Sequence, residues 1–172
     1  MSLFVEVKIP TEWLEQRATI RESDKMDRRG TPRKEVYRLS TLVVAEALGV
    51  DVVDGDGYDI IWNGKRVTVK GQSQAREAKS VVRVGRIPKA EVDDKSDIYV
   101  FVRVHEDLTV AWILGWIPHD EFYYVAEYLK QGTPIGCTRV PESGYHIHAL
   151  NLAPISLGTY EPRSTKIRSV LV

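Results

Sequence analysis

Apolar and polar residues alternate on both sides of Asn63-Gly64, and this pattern predicts a β-hairpin. Asn-Gly between two β-rich runs favours a type I′ turn, which needs φ > 0 at both central residues. A two-residue loop sets Trp62 opposite Lys65, Ile61 opposite Arg66 and Ile60 opposite Val67. Asp59 then stands opposite Thr68, and Tyr58 opposite Val69. Because side chains alternate along a strand, Tyr58, Ile60, Trp62, Val67 and Val69 form a core face. Asp59, Ile61, Arg66, Thr68, Lys70 and Gln72 form the other face.

Upstream, Phe4 to Ile9 alternates and predicts a short strand. Pro10-Thr11-Glu12 opens a helix whose apolar positions are Trp13, Leu14, Ala18 and Ile20. Residues 21 to 31 are charged and read as a loop or a frayed helix end. The best-signalled helix follows, with Thr31 as N-cap, Pro32 at the first helical position and Gly49 as its stop. Val36, Leu39, Val43 and Leu48 make its apolar stripe, with Ala45 and Ala47 beside them. Asp51 to Gly57 is a Gly/Asp loop, and its Asp51, Asp54 and Asp56 lack the Gly and distant Glu of a calcium loop.

Downstream, Ser80 to Val84 predicts another strand. Lys95 to Val104 is nearly continuous in its apolarity, as in a central strand buried on both faces. Val110 to Ile117 returns as a strand with Trp112, Leu114 and Trp116 on one face. Pro118-His119-Asp120-Glu121 caps a helix with Phe122, Val125, Ala126 and Leu129 on one face, ending before Gly132. Tyr145 to Leu150 alternates and puts His146 and His148 on one side. His-x-His can bind a metal, but no third ligand follows at a telling spacing, and polar histidines on an edge strand are the plainer reading. The last dozen residues, with Pro162, Arg163, Lys166 and Arg168, read as a mobile or partner-bound tail. The elements predict an α/β (α+β) protein with a central mixed sheet flanked by helices.

Length and composition narrow the class. A chain of 172 residues, 43% hydrophobic and 28% charged, is expected to form one domain with a proper core. No stretch approaches the roughly 20 apolar residues that span a bilayer, and Met1 to Lys8 lacks the pattern of a signal peptide. The single cysteine, Cys137, excludes an intrachain disulfide and a Cys-based metal site, and reads as a half-buried thiol. A cytoplasmic protein without a membrane partner is expected.

The formal net charge is zero, yet the charge is segregated. Gly64 to Lys89 holds eight Lys/Arg against one acid, Glu77, whereas Ala90 to Glu127 holds nine acids against Lys95 and Arg103. A basic run beginning at the hairpin suits a phosphate-facing surface. Lys65, Arg66, Arg76, Lys79, Arg83 and Arg86 are its candidate nucleic-acid contacts.

The hairpin residues also carry a resemblance. Asp59 at its start and Thr68-Val69-Lys70 on its second strand resemble the PD-(D/E)xK motif of restriction endonucleases and Holliday-junction resolvases. The resemblance covers roughly residues 30 to 130 and leaves about 133 to 172 as a C-terminal extension. It implies a restriction-endonuclease-like core, with a helix, a meander, a second helix and a closing strand. It also implies a Mg²⁺ (or Mn²⁺) ion held by Asp59, by the Val69 carbonyl and by Glu35, which stands on the preceding helix where the family often places an acid. Lys70 would orient the attacking water or stabilise developing charge. Thr68 stands where the family has Glu or Asp, so the site carries one carboxylate fewer. Its hydroxyl, or Gln72 one pleat further on, would place a metal-bound water. Glu35 has a second reading, a first-turn carboxylate favoured by the helix dipole.

The expected function is that of a Mg-dependent endonuclease-like protein acting on DNA. The alternative is a catalytically inactive module of the same fold that holds nucleic acid or a protein, and a third reading is a structural or viral assembly protein. The oligomeric state is open, with a homodimer among the options.

Overall fold

The computed structural model describes residues 4–15, 32–53, 57–75, 83–88, 95–135, 138–155 and 167–169, with only the backbone path for 83–88, 138 and 167–169. Thr31, Arg76, Lys79, Cys137, Pro162, Arg163 and Lys166, and the Ala18 and Ile20 positions, lie outside the described residues.

The protein is α+β, built on a mixed six-stranded sheet. Its strands are β1 (Val5–Lys8), β2 (Ile60–Trp62), β3 (Lys65–Gln74), β5 (Ile98–His105), β6 (Val110–Pro118) and β11 (Ile167–Ser169). They lie in the order β11-β1-β6-β5-β3-β2. All neighbours are antiparallel except β3 and β5, which run parallel. A parallel pair cannot be joined by a tight turn. The connection after β3 therefore leaves the sheet, and β4 (Arg83–Pro88) pairs in a second sheet, of order β4-β10-β7. There β10 is Gly144–His148 and β7 is Glu127–Leu129. Residues 80–82 of the strand predicted at 80–84 lie outside the described residues; Arg83 and Val84 are in β4, in the second sheet, and the expected meander is replaced by a crossover. Two short strands, β8 (Pro134–Ile135) and β9 (Thr138–Arg139), pair with each other.

The hairpin has its predicted register: Ile60 pairs with Val67, Ile61 with Arg66 and Trp62 with Lys65. Asn63 at φ 50° and Gly64 at φ 72° supply the two positive values that the turn requires. Both faces of the large sheet are covered. Helix α2 (Arg33–Leu48) packs Val36, Leu39, Val43 and Val44 against Val67, Val69, Val100 and Val102. On the other side, Tyr99 and Phe101 meet Phe122 of α3 (His119–Val125) and Ile147 of β10. A short helix α1 (Thr11–Glu15) lays Trp13 and Leu14 on the α2 side.

Four expectations are corrected. Helix α2 starts one residue late, because Pro32 is the extended N-cap rather than the first helical residue. Its stop is as expected, with Gly49 left-handed at φ 66°. Helix α3 ends at Val125, where Ala126 turns extended and the chain joins β10 as β7. Burial of Leu129 is met by strand pairing instead of helix packing. In β6 the register shifts at Gly115, φ 140°, so that Leu114 is the extra residue. Trp112 and Leu114 keep to the Phe122 side, while Trp116 turns to the other face and meets Trp62 edge-on at 5.9 Å. Finally, Ile167–Ser169 of the expected tail pairs with β1.

Candidate functional site

At the end of the hairpin where β2 begins, Asp59 meets the main chain of Val69, while Thr68 and Lys70 lie on the other face of β3. Asp59 stands one residue before β2, tied to the ladder by its N–H, which donates to the Val67 carbonyl at 2.9 Å. Its side chain is 7% exposed. Oδ2 accepts the Val69 N–H at 2.7 Å, and Oδ1 accepts the hydroxyl of Tyr37 from α2. In an extended strand the N–H and C=O of one residue point to the same neighbour, so the Val69 carbonyl also points toward the β2 side.

Thr68 and Lys70 lie on the opposite face from Val67 and Val69, as the alternation predicts. Thr68 is buried there, and Oγ1 donates to the Gly57 carbonyl at 3.0 Å and meets Ser96 Oγ. Lys70 is half-buried, with Nζ 5.7 Å from the centre of the Tyr99 ring. An ammonium over an aromatic face at that range is attracted by the ring quadrupole. Asp59 departs from this face: its carboxylate turns to Tyr37 on the α2 side. The reason is that Asp59 precedes the regular pleat of β2, so strict alternation does not govern it.

Two candidates are not brought to this point. Glu35 is buried, and its carboxylate accepts both the Nε and one terminal nitrogen of Arg38, at 3.0 and 2.7 Å. That Arg38 nitrogen also donates to the Trp13 carbonyl, which binds α1 to α2. Residues two apart on a helix are about 200° apart around its axis. Glu35 and Tyr37 therefore occupy opposite flanks of α2, and only the Tyr37 flank reaches Asp59. Gln72 lies four residues beyond Thr68, about 13 Å along the strand at roughly 3.3 Å per residue. Its side chain accepts from Arg103 of β5.

The basic run is divided. Lys65 is exposed at the turn. Arg66, half-buried with its side chain 43% exposed, makes two side-chain bonds to Asp97, at 3.1 and 3.0 Å, and its N–H adds a third at 2.8 Å. Those bonds hold the Asp97 carboxyl down at about 2, so the pair is fixed throughout the neutral range. Arg83 and Arg86 stand in β4 opposite His148 and His146 of β10, in the second sheet.

Among the described residues no three His, Cys, Asp or Glu side chains converge, and no helix is long and apolar enough to cross a membrane. A divalent cation is still compatible with the Asp59 end. Mg²⁺ commonly takes one or two carboxylates, keeps several waters and draws its remaining ligands from substrate phosphate. An ionised carboxylate has about four acceptor positions, and the bonds from Val69 and Tyr37 use one on each oxygen. Sequence reasoning missed Tyr37, Ser96 and Gly57. Their contacts with Asp59 and Thr68 span 11 to 28 positions in sequence and carry no local signal. No protein-family model matches the chain, and no curated protein matches its sequence.

Proposed function

We propose that this chain is a nuclease-fold protein of the PD-(D/E)xK type that hydrolyses DNA phosphodiester bonds with Mg²⁺ or Mn²⁺. One observation carries the reading. A buried carboxylate, Asp59, is fastened to the N–H of Val69, the residue immediately before Lys70. A carboxylate thus adjoins a main-chain carbonyl at one end of a hairpin, next in sequence to Lys70, whose ammonium stands over Tyr99 on the other face.

Asp59 and the Val69 carbonyl would hold the cation, which when bound polarises a phosphate and lowers the pKa of water. The Thr68 hydroxyl is engaged with Gly57, so it orders the loop behind the site. Lys70 would have to leave the Tyr99 ring, on the other face, to supply positive charge as the phosphate oxygens gain negative charge. Lys65 at the turn, and Arg83 and Arg86 on β4, would meet backbone phosphates, while Arg66 would have to leave Asp97 to do so.

A second reading has an observation of its own in favour. Glu35 is committed to Arg38, and both Asp59 oxygens already accept hydrogen bonds. A catalytically silent module of the same fold, binding nucleic acid through its basic run, would look the same. Plasmid nicking in Mg²⁺ and in Mn²⁺ separates the two. The natural protein is expected to convert supercoiled plasmid to open circles, and Lys70→Ala and Asp59→Asn to lose that activity by at least about 100-fold, the scale of one preorganised charge in a transition state. Nicking that survives both substitutions, or that never appears with either metal, would leave the silent module standing.

A further inference from the structure

Tyr37 lies on the flank of α2 beyond its apolar stripe and is 49% exposed. Its hydroxyl nevertheless donates to Asp59 Oδ1, while Oδ2 accepts the Val69 N–H. A carboxylate held through one oxygen can still turn about its Cβ–Cγ bond. Held through both oxygens, from a helix on one side and a strand on the other, it is fixed in orientation.

The two bonds arise from different parts of the fold. The Val69 bond is local to the hairpin and forms with it. The Tyr37 bond forms only when α2 is seated on the sheet, which it does through the close approach of Ser40 to Gly71. The orientation of Asp59 therefore reports the docking of α2. Tyr37→Phe keeps the half-exposed ring and removes the hydroxyl that donates to the carboxylate.

We infer that Tyr37 is a positioning residue that aims the Asp59 carboxylate at a divalent cation, an inference that rests on the metal-dependent reading above. Tyr37 does not itself touch metal or substrate. Outer partners of ligating carboxylates fix the geometry of the ligand, and their loss typically lowers metal affinity by about 10–100-fold.

The test is thermal melting of the full chain, titrated with MnCl₂ in the presence of a short duplex oligonucleotide, for the natural protein, Tyr37→Phe and Asp59→Asn. Melts in chelator give each protein its own baseline. The natural protein is expected to gain melting temperature with Mn²⁺, and Asp59→Asn to lose that gain. Tyr37→Phe should keep its fold and need about tenfold more Mn²⁺ for the half-maximal gain. If Tyr37→Phe lowers the chelator melt but leaves the Mn²⁺ midpoint where it was, Tyr37 is only structural and the inference fails alone. A natural protein with no Mn²⁺-dependent gain would overturn the metal-dependent reading, and the inference with it.

Discussion

Thr68 shows how one side chain decides what this site can become. Its hydroxyl donates to the Gly57 carbonyl, and only 7% of the residue is exposed. A glutamate there would place a carboxylate against a carbonyl oxygen, with Ser96 Oγ as the remaining neighbour. Thr68→Glu should therefore destabilise the protein in chelator by more than the roughly 1–3 kcal/mol that a buried neutral polar group without partners costs, because the new group is a carboxylate. The Asp59 carboxylate turns to the α2 side, away from Thr68, so the new carboxylate shares no cation with it and Mg²⁺ should leave the loss in place. Urea unfolding with and without Mg²⁺ reads this, and a recovery in Mg²⁺ would mean that the new carboxylate and Asp59 reach one cation. At this scale the sequence was half legible. The two-residue Asn63-Gly64 loop put Thr68 and Lys70 on one face, as found, but it also set Asp59 opposite Thr68 on that face, whereas its carboxylate turns to Val69 and Tyr37. The bond to Tyr37 was hidden, since it depends on how α2 is docked. Glu35 was misplaced even though Arg38, its partner, stands only three residues further on, where helix geometry favours such a pair.

Between elements, the tightest junction is α2 against β3 at Gly71. A Cβ built on Gly71 would come 2.1 Å from Ser40 Oγ and 2.7 Å from Ser40 Cβ. Gly71→Ala must therefore push the helix outward or twist Ser40, whose Oγ donates to the Val36 carbonyl at 2.7 Å. The expected cost is about 1–3 kcal/mol, the range for overpacking a filled core. Adding Ser40→Ala removes the hydroxyl clash but keeps the Cβ contact, so the double variant should recover only part of the loss. Strict additivity in a double-mutant cycle would mean that the two residues do not meet. Helix α2, the hairpin and β5 were readable because each carries its own signal: caps, an Asn-Gly turn, and an unbroken apolar run. The short α3 and the bulge in β6 were not. Val125 and Leu129 fit a helical period as well as they fit a turn into a strand, and β10, which decides the matter, lies more than a dozen residues further on. At Gly115 the signal was only a glycine within an apolar run, yet it moves Trp116 to the opposite face from Trp112.

For the whole molecule, the parallel pairing of β3 and β5 has an electrostatic consequence. The crossover carries the chain away from the large sheet after the hairpin, so a basic run that is continuous in sequence is not one stripe in space. Lys65 and Lys70 stay on the hairpin strand, while Arg83 and Arg86 stand in β4 beside β10. Arg66 is taken up by Asp97 at the start of β5. If DNA lies across both sheets, cations on the crossover should contribute to affinity as separate phosphate contacts. Replacing Arg76, Lys79 and Arg83 together with Gln should then weaken duplex binding and flatten its dependence on salt. Each phosphate contact contributes a slope of about −0.9 in log affinity against log salt, so losing three should reduce the slope by up to about 2.7. Fluorescence anisotropy of a labelled duplex, measured in chelator across a range of salt, gives the slope without cleavage. A triple variant with the natural slope would take these three out of the phosphate-facing surface and leave it to Lys65, Lys70 and Arg86.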